Sequence, residues 1–167
     1  MRLYIVRHAI AASHGTLGVK DDDRGLTEEG VERMRQAAEG LRRLDCIPEL
    51  ILSSPLLRAR QTAEILLAAF GKGLELKILP SLSPSGIRRE LYQAISSYEG
   101  RLKSLMLVGH QPSLGEIAGA ITGGSPDCNI ELKKGGACAI DMASGGNPPK
   151  GSLVFLLPSS ILRRIAE

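Results

Sequence analysis

The chain has no tryptophan, and its 167 residues include only three tyrosines and two phenylalanines. That leaves no platform of aromatic rings on which nucleic-acid bases could stack. An excess of one charge is missing too. Lys and Arg number 21 against 18 Asp and Glu, a formal +3. The small excess is spread evenly: residues 1–84 hold 12 basic and 11 acidic side chains, residues 85–167 hold 9 and 7. This balance provides no long-range attraction to DNA or to an anionic membrane, so neither is an expected partner. No apolar run approaches the ~18 residues of a membrane span.

Cysteine is scarce as well. Cys46, Cys128 and Cys138 are too few and too scattered for a disulfide framework, and none belongs to a C-x-x-C pair. Each reads as a small buried hydrophobe. The three histidines, His8, His14 and His110, form no H-E-x-x-H. A zinc site is therefore not expected, nor is any other metal or cofactor. The opening MRLYIVRHAI carries Arg7 within its apolar stretch, which suits a first strand better than a signal peptide. Cytoplasmic localisation is the default expectation. With 43% hydrophobic and 23% charged residues, the composition is that of an ordinary globular domain. One domain over residues 1–167 is expected, with a monomer as the simplest state.

What is present is an alternation of strands and helices. Leu3–Val6 is a continuous β-rich run that fits a strand covered on both faces. The polar stretch Ser13–Gly25, with Asp21, Asp22 and Asp23, reads as a loop. Thr27 reads as an N-cap before Glu28 and Glu29, and the 3.6-residue spacing of Val31, Met34, Ala38 and Leu41 predicts a helix to about Leu44. Leu50–Leu52 is a second strand. Ser54 as N-cap and Pro55 at the first helical position then open a helix that runs to about Phe70. Leu74–Leu79 reads as a third strand, Pro84 to about Tyr98 as a helix, and Ser104–Val108 as a fourth strand. Pro112 opens a further helix to about Ile121. Ala137–Met142 and Ser152–Leu157 read as a closing hairpin around a Gly/Pro-rich turn, Gly145–Gly151. The expected fold is α/β: a mainly parallel central sheet with helices on both faces and an antiparallel edge hairpin near the C-terminus.

Three of these strands end in chemistry. Arg7-His8, Ser53-Ser54-Pro55-Leu56-Leu57-Arg58 and Gly109-His110-Gln111-Pro112 each stand where a strand passes into a loop or helix. In open α/β sheets, ligands bind outside the carboxyl ends of the strands. Singly, each segment has a plain reading: a strand end meeting water, a solvated helix face, a histidine capping a turn. Together, Arg7, His8, Arg58 and His110 supply two guanidiniums, two imidazoles and a helix N-terminus. That set suits a phosphate.

The same segments resemble the histidine phosphatase superfamily, with its phosphoglycerate-mutase-like fold. Arg7-His8 is similar to its Arg-His-Gly motif, and Leu26-Thr27-Glu28-Glu29-Gly30 to its Leu-Thr-x-x-Gly segment. Ser54-Pro55-Leu56-Leu57-Arg58-Ala59-Arg60-Gln61-Thr62-Ala63 is similar to its Ser-Pro-x-x-Arg-Ala-x-Gln-Thr-Ala helix, and Val108-Gly109-His110 to its second histidine motif. Leu79-Pro80-Ser81-Leu82-Ser83-Pro84 resembles the segment of the small SixA-type phosphohistidine phosphatases. The resemblance implies a three-layer sandwich and a metal-independent phosphatase. It implies His8 as the nucleophile that forms a phosphohistidine intermediate, Arg7 and Arg58 as holders of the phosphoryl oxygens, and His110 as a further donor to them.

Two departures bear on activity. Ala9 stands where the motif has glycine, and glycine can permit an unusual backbone angle. The segment Leu82-Ser83-Pro84 lacks the glutamate that many family members use as general acid. Asp21, Asp22, Asp23 and Glu116 are candidate substitutes, read otherwise as a solvated loop and a helix surface. His14 reads as surface, and Lys133-Lys134 as a solvated turn or as the rim of the site. Without an acid, an alkoxide leaves poorly, whereas the imidazole of phosphohistidine leaves once it is protonated. The leading expectation is a phosphatase acting on a phosphohistidine-containing protein domain, such as a phosphorelay or carrier domain. Alternatives are a phosphatase for a small phosphomonoester and a phosphate-binding module with little turnover.

Overall fold

The computed structural model describes every residue except 16, 17, 19, 72, 126, 129, 147 and 148. Six strands form one sheet: β1 (Arg2–Arg7), β2 (Leu50–Ser53), β3 (Glu75–Ile78), β4 (Ser104–Gly109), β5 (Ala137–Met142) and β6 (Gly151–Leu157). Their order across the sheet is β3–β2–β4–β1–β5–β6. The first four are parallel, whereas β5 runs antiparallel to β1 and β6 antiparallel to β5. Five helices accompany them: α1 (Glu28–Arg43), α2 (Leu57–Phe70), α3 (Arg88–Ser97), α4 (Ser113–Gly123) and α5 (Ser159–Ile165). None is long and apolar enough to cross a membrane among the described residues.

The continuous apolar runs of β1, β2 and β4 arise because both faces of the sheet are covered. Side chains alternate between two cores. Leu3, Ile5, Leu105 and Leu107 pack with Leu91 and Ile95 of α3 and Leu114 and Ile117 of α4. Tyr4, Val6, Met106 and Val108 pack with Met34 and Leu41 of α1, Leu66 of α2 and Leu162 of α5. The result is three layers, as expected, with a mainly parallel sheet in the middle.

Several local expectations hold for the predicted physical reason. The Thr27 hydroxyl accepts from the Gly30 N–H at 3.0 Å, a cap of about 1 kcal/mol. Others do not hold. Helix α2 starts at Leu57 after an extended Leu56 rather than at Pro55, because the Ser54 hydroxyl accepts from Leu56 N–H in a tighter turn. Helix α3 starts at Arg88, since Pro80–Leu82 forms a 3-10 turn and the Gly86 backbone then lies against the Ser81 carbonyl. The closing hairpin, by contrast, is the antiparallel edge expected: β5 pairs with β1, and β6 is the outermost strand on that side of the sheet. Cys46 and Cys138 are buried as expected, and burial pushes the Cys138 thiol up to about 12, but Cys128 is exposed. The loop Ser13–Gly25 contains a 3-10 turn at Asp21–Asp23 and an isolated bridge from Ala11 to Leu26. Residues 16, 17 and 19 of that loop, and 147 and 148 of the Gly145–Gly151 turn, lie outside the described residues.

Helix α5 was not expected from the sequence. Its seven residues dock on α1 where Gly40 sits, and a Cβ there would be 2.0 Å from the Leu162 carbonyl oxygen. In an ordinary helix interior, Gly→Ala stabilises by up to about 1 kcal/mol. Here the methyl meets backbone, so overpacking wins, and Gly40→Ala is expected to destabilise by about 1–3 kcal/mol. A fall in the urea midpoint checks this, and an unchanged or higher midpoint contradicts the α1–α5 contact.

Candidate active site

Strand register assembles the site. Arg7 on β1 lies opposite Gly109 on β4, and Ser53 on β2 lies opposite Val108. The residues that follow, His8, His110 and Ser54, therefore emerge side by side at the carboxyl edge. The His8 N–H donates to the Gly109 carbonyl at 2.9 Å, and Ser54 N–H to the Val108 carbonyl at 2.9 Å, which ties the three strand ends together. Helix α2 adds Arg58 from its first turn. Arg7, His8, Arg58 and His110 line one cavity of about 460 Å³. All four predicted site residues are brought together.

The His8 ring is 7% exposed, and its Nδ1 lies 2.8 Å from the Ala9 carbonyl oxygen. A carbonyl can only accept, so Nδ1 carries the proton and Nε2 carries the lone pair. Burial pushes the His8 imidazole down to about 4; the Ala9 carbonyl opposes this, and the charges of Arg58, Arg7 and Lys134 reinforce it. Ala9 has no glycine-like backbone: among the described residues only Asp45, apart from glycines, has positive φ. The Ala9 methyl packs into the core beside Met34, and its N–H donates to the Thr62 hydroxyl at 3.1 Å. The missing motif glycine therefore costs this turn nothing in geometry.

His110 is also buried, with its ring centroid 5.1 Å from that of His8. Its Nε2 lies 2.8 Å from the Ser54 hydroxyl oxygen. That oxygen accepts from Leu56 N–H and keeps a second lone pair as well as its O–H, so it pairs with either tautomer of His110; with the O–H donating to Nε2, the His110 proton resides on Nδ1. Burial pushes His110 down to about 3, helped by His8, Arg58 and Arg7 and opposed by Asp21.

The arginines are fixed by one edge and free at the other. Arg7 donates through Nη1 to the Leu132 carbonyl at 2.8 Å. Arg58 donates through Nη1 to the Asp21 carbonyl at 2.7 Å and through Nη2 to the Asp21 carboxylate at 3.1 Å. The Nε of each arginine, together with His110 Nδ1, is buried with no partner among the described residues. Unpaired buried N–H groups are costly, and three in one cavity that also holds two guanidiniums point to an anion. A groove of about 510 Å³ lined by Val31, Ile65 and Ala68 brings together none of these groups.

Comparison with known proteins agrees with this geometry. The sequence model of the histidine phosphatase superfamily (branch 1) matches residues 3–84. The chain is 43% identical over 141 residues to an uncharacterised protein of Picosynechococcus sp., covering 84% of each. It is 30% identical over 127 residues to the phosphohistidine phosphatase SixA of Escherichia coli, covering 74% of this chain and 76% of that one. The chain belongs to the histidine phosphatase superfamily. It is a phosphatase by that membership, with the fold of a solved protein histidine phosphatase SixA complexed with tungstate. That structure superimposes with a TM-score of 0.85 at 22% identity, covering 97% of this chain and 99% of the other.

The secondary candidates sort differently. Asp21 reaches the site as a clamp on Arg58. Desolvation raises its carboxyl, but the Arg24 hydrogen bond and the Arg58 and Arg24 charges outweigh that and hold it below the usual carboxylate range. An ionised, doubly paired carboxylate is a poor proton donor. Asp22 and Asp23 do not line the cavity, and Glu116 pairs with Arg88 away from it. His14, read as surface, lines the cavity mouth with its Nε2 3.6 Å from Asp21. Lys134 lines it as well, because the following Gly135 N–H donates to the carbonyls of Arg7 and His8 at 3.1 and 3.2 Å. The Lys133–Lys134 turn therefore belongs to the rim, which the sequence left open. Ser54 was expected as a helix cap, and only its contact with His110 identifies its place in the site.

Both imidazoles are held neutral by the fold, whereas in the unfolded chain they take up protons near pH ~6.5. The stabilisation this gives is complete above that pH and is lost as the pH falls through about 4 for His8 and about 3 for His110. An NMR titration is expected to show the His8 ring as the Nδ1–H tautomer from neutral pH down to about pH 5. A midpoint near the ordinary histidine value contradicts the buried geometry.

Proposed function

We propose that the protein is a phosphohistidine phosphatase that acts on a protein substrate, with His8 as nucleophile. The observation that carries this reading is the cavity's lining. Among the described residues it presents Arg7, His8, His14, Arg24, Arg58, His110 and Lys134 and no carboxylate, and the Asp21 carboxylate beside it is held by Arg24 and Arg58. Such a wall stabilises a phosphoryl group but offers no ordinary carboxylic acid to protonate an alkoxide. An imidazole leaving group needs less help, because its second ring nitrogen takes a proton from water. The likeness to SixA of Escherichia coli supports the same substrate class.

The chemistry then runs in two steps. His8 Nε2 attacks phosphorus, the P–N bond to the substrate imidazole breaks, and the protonated substrate ring leaves with the bonding pair. The Nε sides of Arg7 and Arg58 and the Nδ1–H of His110 donate to the phosphoryl oxygens, which carry the charge of the transition state. Water next attacks phosphorus, the bond to His8 breaks, and inorganic phosphate is released. The Nδ1–H bond to the Ala9 carbonyl strengthens in the phosphorylated ring, which is cationic when that proton is retained.

Phosphate release from a phosphohistidine-bearing protein and from a panel of small phosphoesters tests the reading. A strong preference for phosphohistidine is expected, and it should disappear in His8→Ala. Arg58→Ala is expected to lower kcat/KM by about 10²–10³. Comparable efficiency on a small ester would move the substrate to a metabolite phosphomonoester. Binding of phosphate with no turnover of any substrate would leave only a phosphate-binding module.

A further inference from the structure

Beside the phosphate cavity lies a second, smaller cleft of about 190 Å³, and Lys134 lines both. Its floor includes Ala9 and Ile10, the residues directly after the nucleophile. Its rim carries Arg33, Lys133, Lys134 and Arg163, with the hydroxyls of Ser159 and Ser160, and no acidic side chain among the described residues. Two of the four cations are already paired, Arg33 with Glu29 and Lys133 with Glu131. Among the described residues, Lys134 and Arg163 have no acidic partner, and Arg163 Nε is buried with no hydrogen bond.

The position of this cleft is built into the fold. The turn that presents Lys133 and Lys134 is anchored to the Arg7 and His8 carbonyls. Ile10 is held by the Thr27 N–H, which donates to its carbonyl at 3.0 Å, and Gly30 leaves room for that carbonyl, since a Cβ there would stand 2.0 Å from the oxygen. Arg163 comes from α5, which docks on α1. The cleft is well below the roughly 300–1,000 Å³ of small-molecule pockets. It accommodates one side chain. Its unpaired guanidinium and ammonium select an anion, and a planar carboxylate suits Arg best.

We propose that this cleft receives the carboxylate of an acidic side chain on the substrate protein, close to its phosphohistidine. The proposal rests on the phosphohistidine reading above and adds a specificity contact to it. With the phosphoryl group in the first cavity, the substrate surface next to it lies over Lys134 and reaches the second. The protein would then read a phosphohistidine together with a flanking Asp or Glu.

Two synthetic phosphohistidine peptides, identical except for Glu or Gln at the flanking positions, test this with wild type and Arg163→Gln. Wild type is expected to show a KM about fivefold lower for the Glu peptide, the size of one partly exposed charge pair, with kcat unchanged. Arg163→Gln is expected to lose the preference while turning over the Gln peptide as wild type does, which also reports that the variant is folded. Equal KM values in wild type, or a preference that survives in Arg163→Gln, would overturn the acidic contact and leave the phosphatase reading intact. Turnover of a small phosphoester with neither peptide hydrolysed would overturn the phosphohistidine reading, and this proposal with it.

Discussion

The parallel pairing of β1 with β4 is the constraint from which the site follows. It sets Arg7 against Gly109 and brings the two histidine rings within 5.1 Å, centroid to centroid. Because both faces of these strands are buried, helices must cover the sheet on each side, and polar side chains are left to the strand ends. The polar groups there are themselves largely buried: Arg58, His8, His110 and Ser54 all belong to the interior. Leaving the Nε groups of Arg7 and Arg58 and the Nδ1 of His110 buried without partners among the described residues is unfavourable unless a ligand joins them. The same burial therefore explains the cost of the site and its ligand class.

Burial also sets the chemistry of the imidazoles. In water, a histidine near neutral pH is divided between two tautomers and a cation. Here the Ala9 carbonyl accepts a hydrogen bond from the Nδ1–H of His8, and the Ser54 hydroxyl occupies Nε2 of His110. One ring is left with a lone pair and the other with a buried N–H. The two imidazoles thus differ in which nitrogen faces a partner because their neighbours differ. Asp21 adds a related constraint. Its carbonyl and carboxylate together hold the outer edge of Arg58, which leaves the Nε side unpartnered.

Much of this was legible in the chain. Strands β1, β2 and β4 show as continuous apolar runs, and α1 shows through its cap and its 3.6-residue spacing, because tertiary burial and local propensity agree there. Arg7, His8, Arg58 and His110 were legible because they stand at or just beyond the carboxyl ends of β1, β2 and β4. Helix α5 was not, since seven residues with Ile161, Leu162 and Ile165 carry too short a pattern, and its docking depends on the absence of a side chain at Gly40, far away in sequence. The start of α2 was not legible because the Ser54 hydroxyl closes a tight turn on Leu56 N–H while also meeting His110, a contact that the local cap pattern does not contain. Lys134, His14 and Asp21 sit in loops whose local sequence reads as solvated surface.

The residue types and their order by themselves determined an α/β fold, the alternation of strands and helices, and a cation- and imidazole-rich end to three strands. They did so because side-chain periodicity and chain turns are local properties. Which ring nitrogen carries the proton, which edge of each arginine is free, that the cavity lining among the described residues holds no carboxylate and that a second basic cleft adjoins it were decided only by tertiary structure. Each of those depends on atoms from strands, helices and loops far apart in the chain, and only the packed sheet brings them within hydrogen-bond distance.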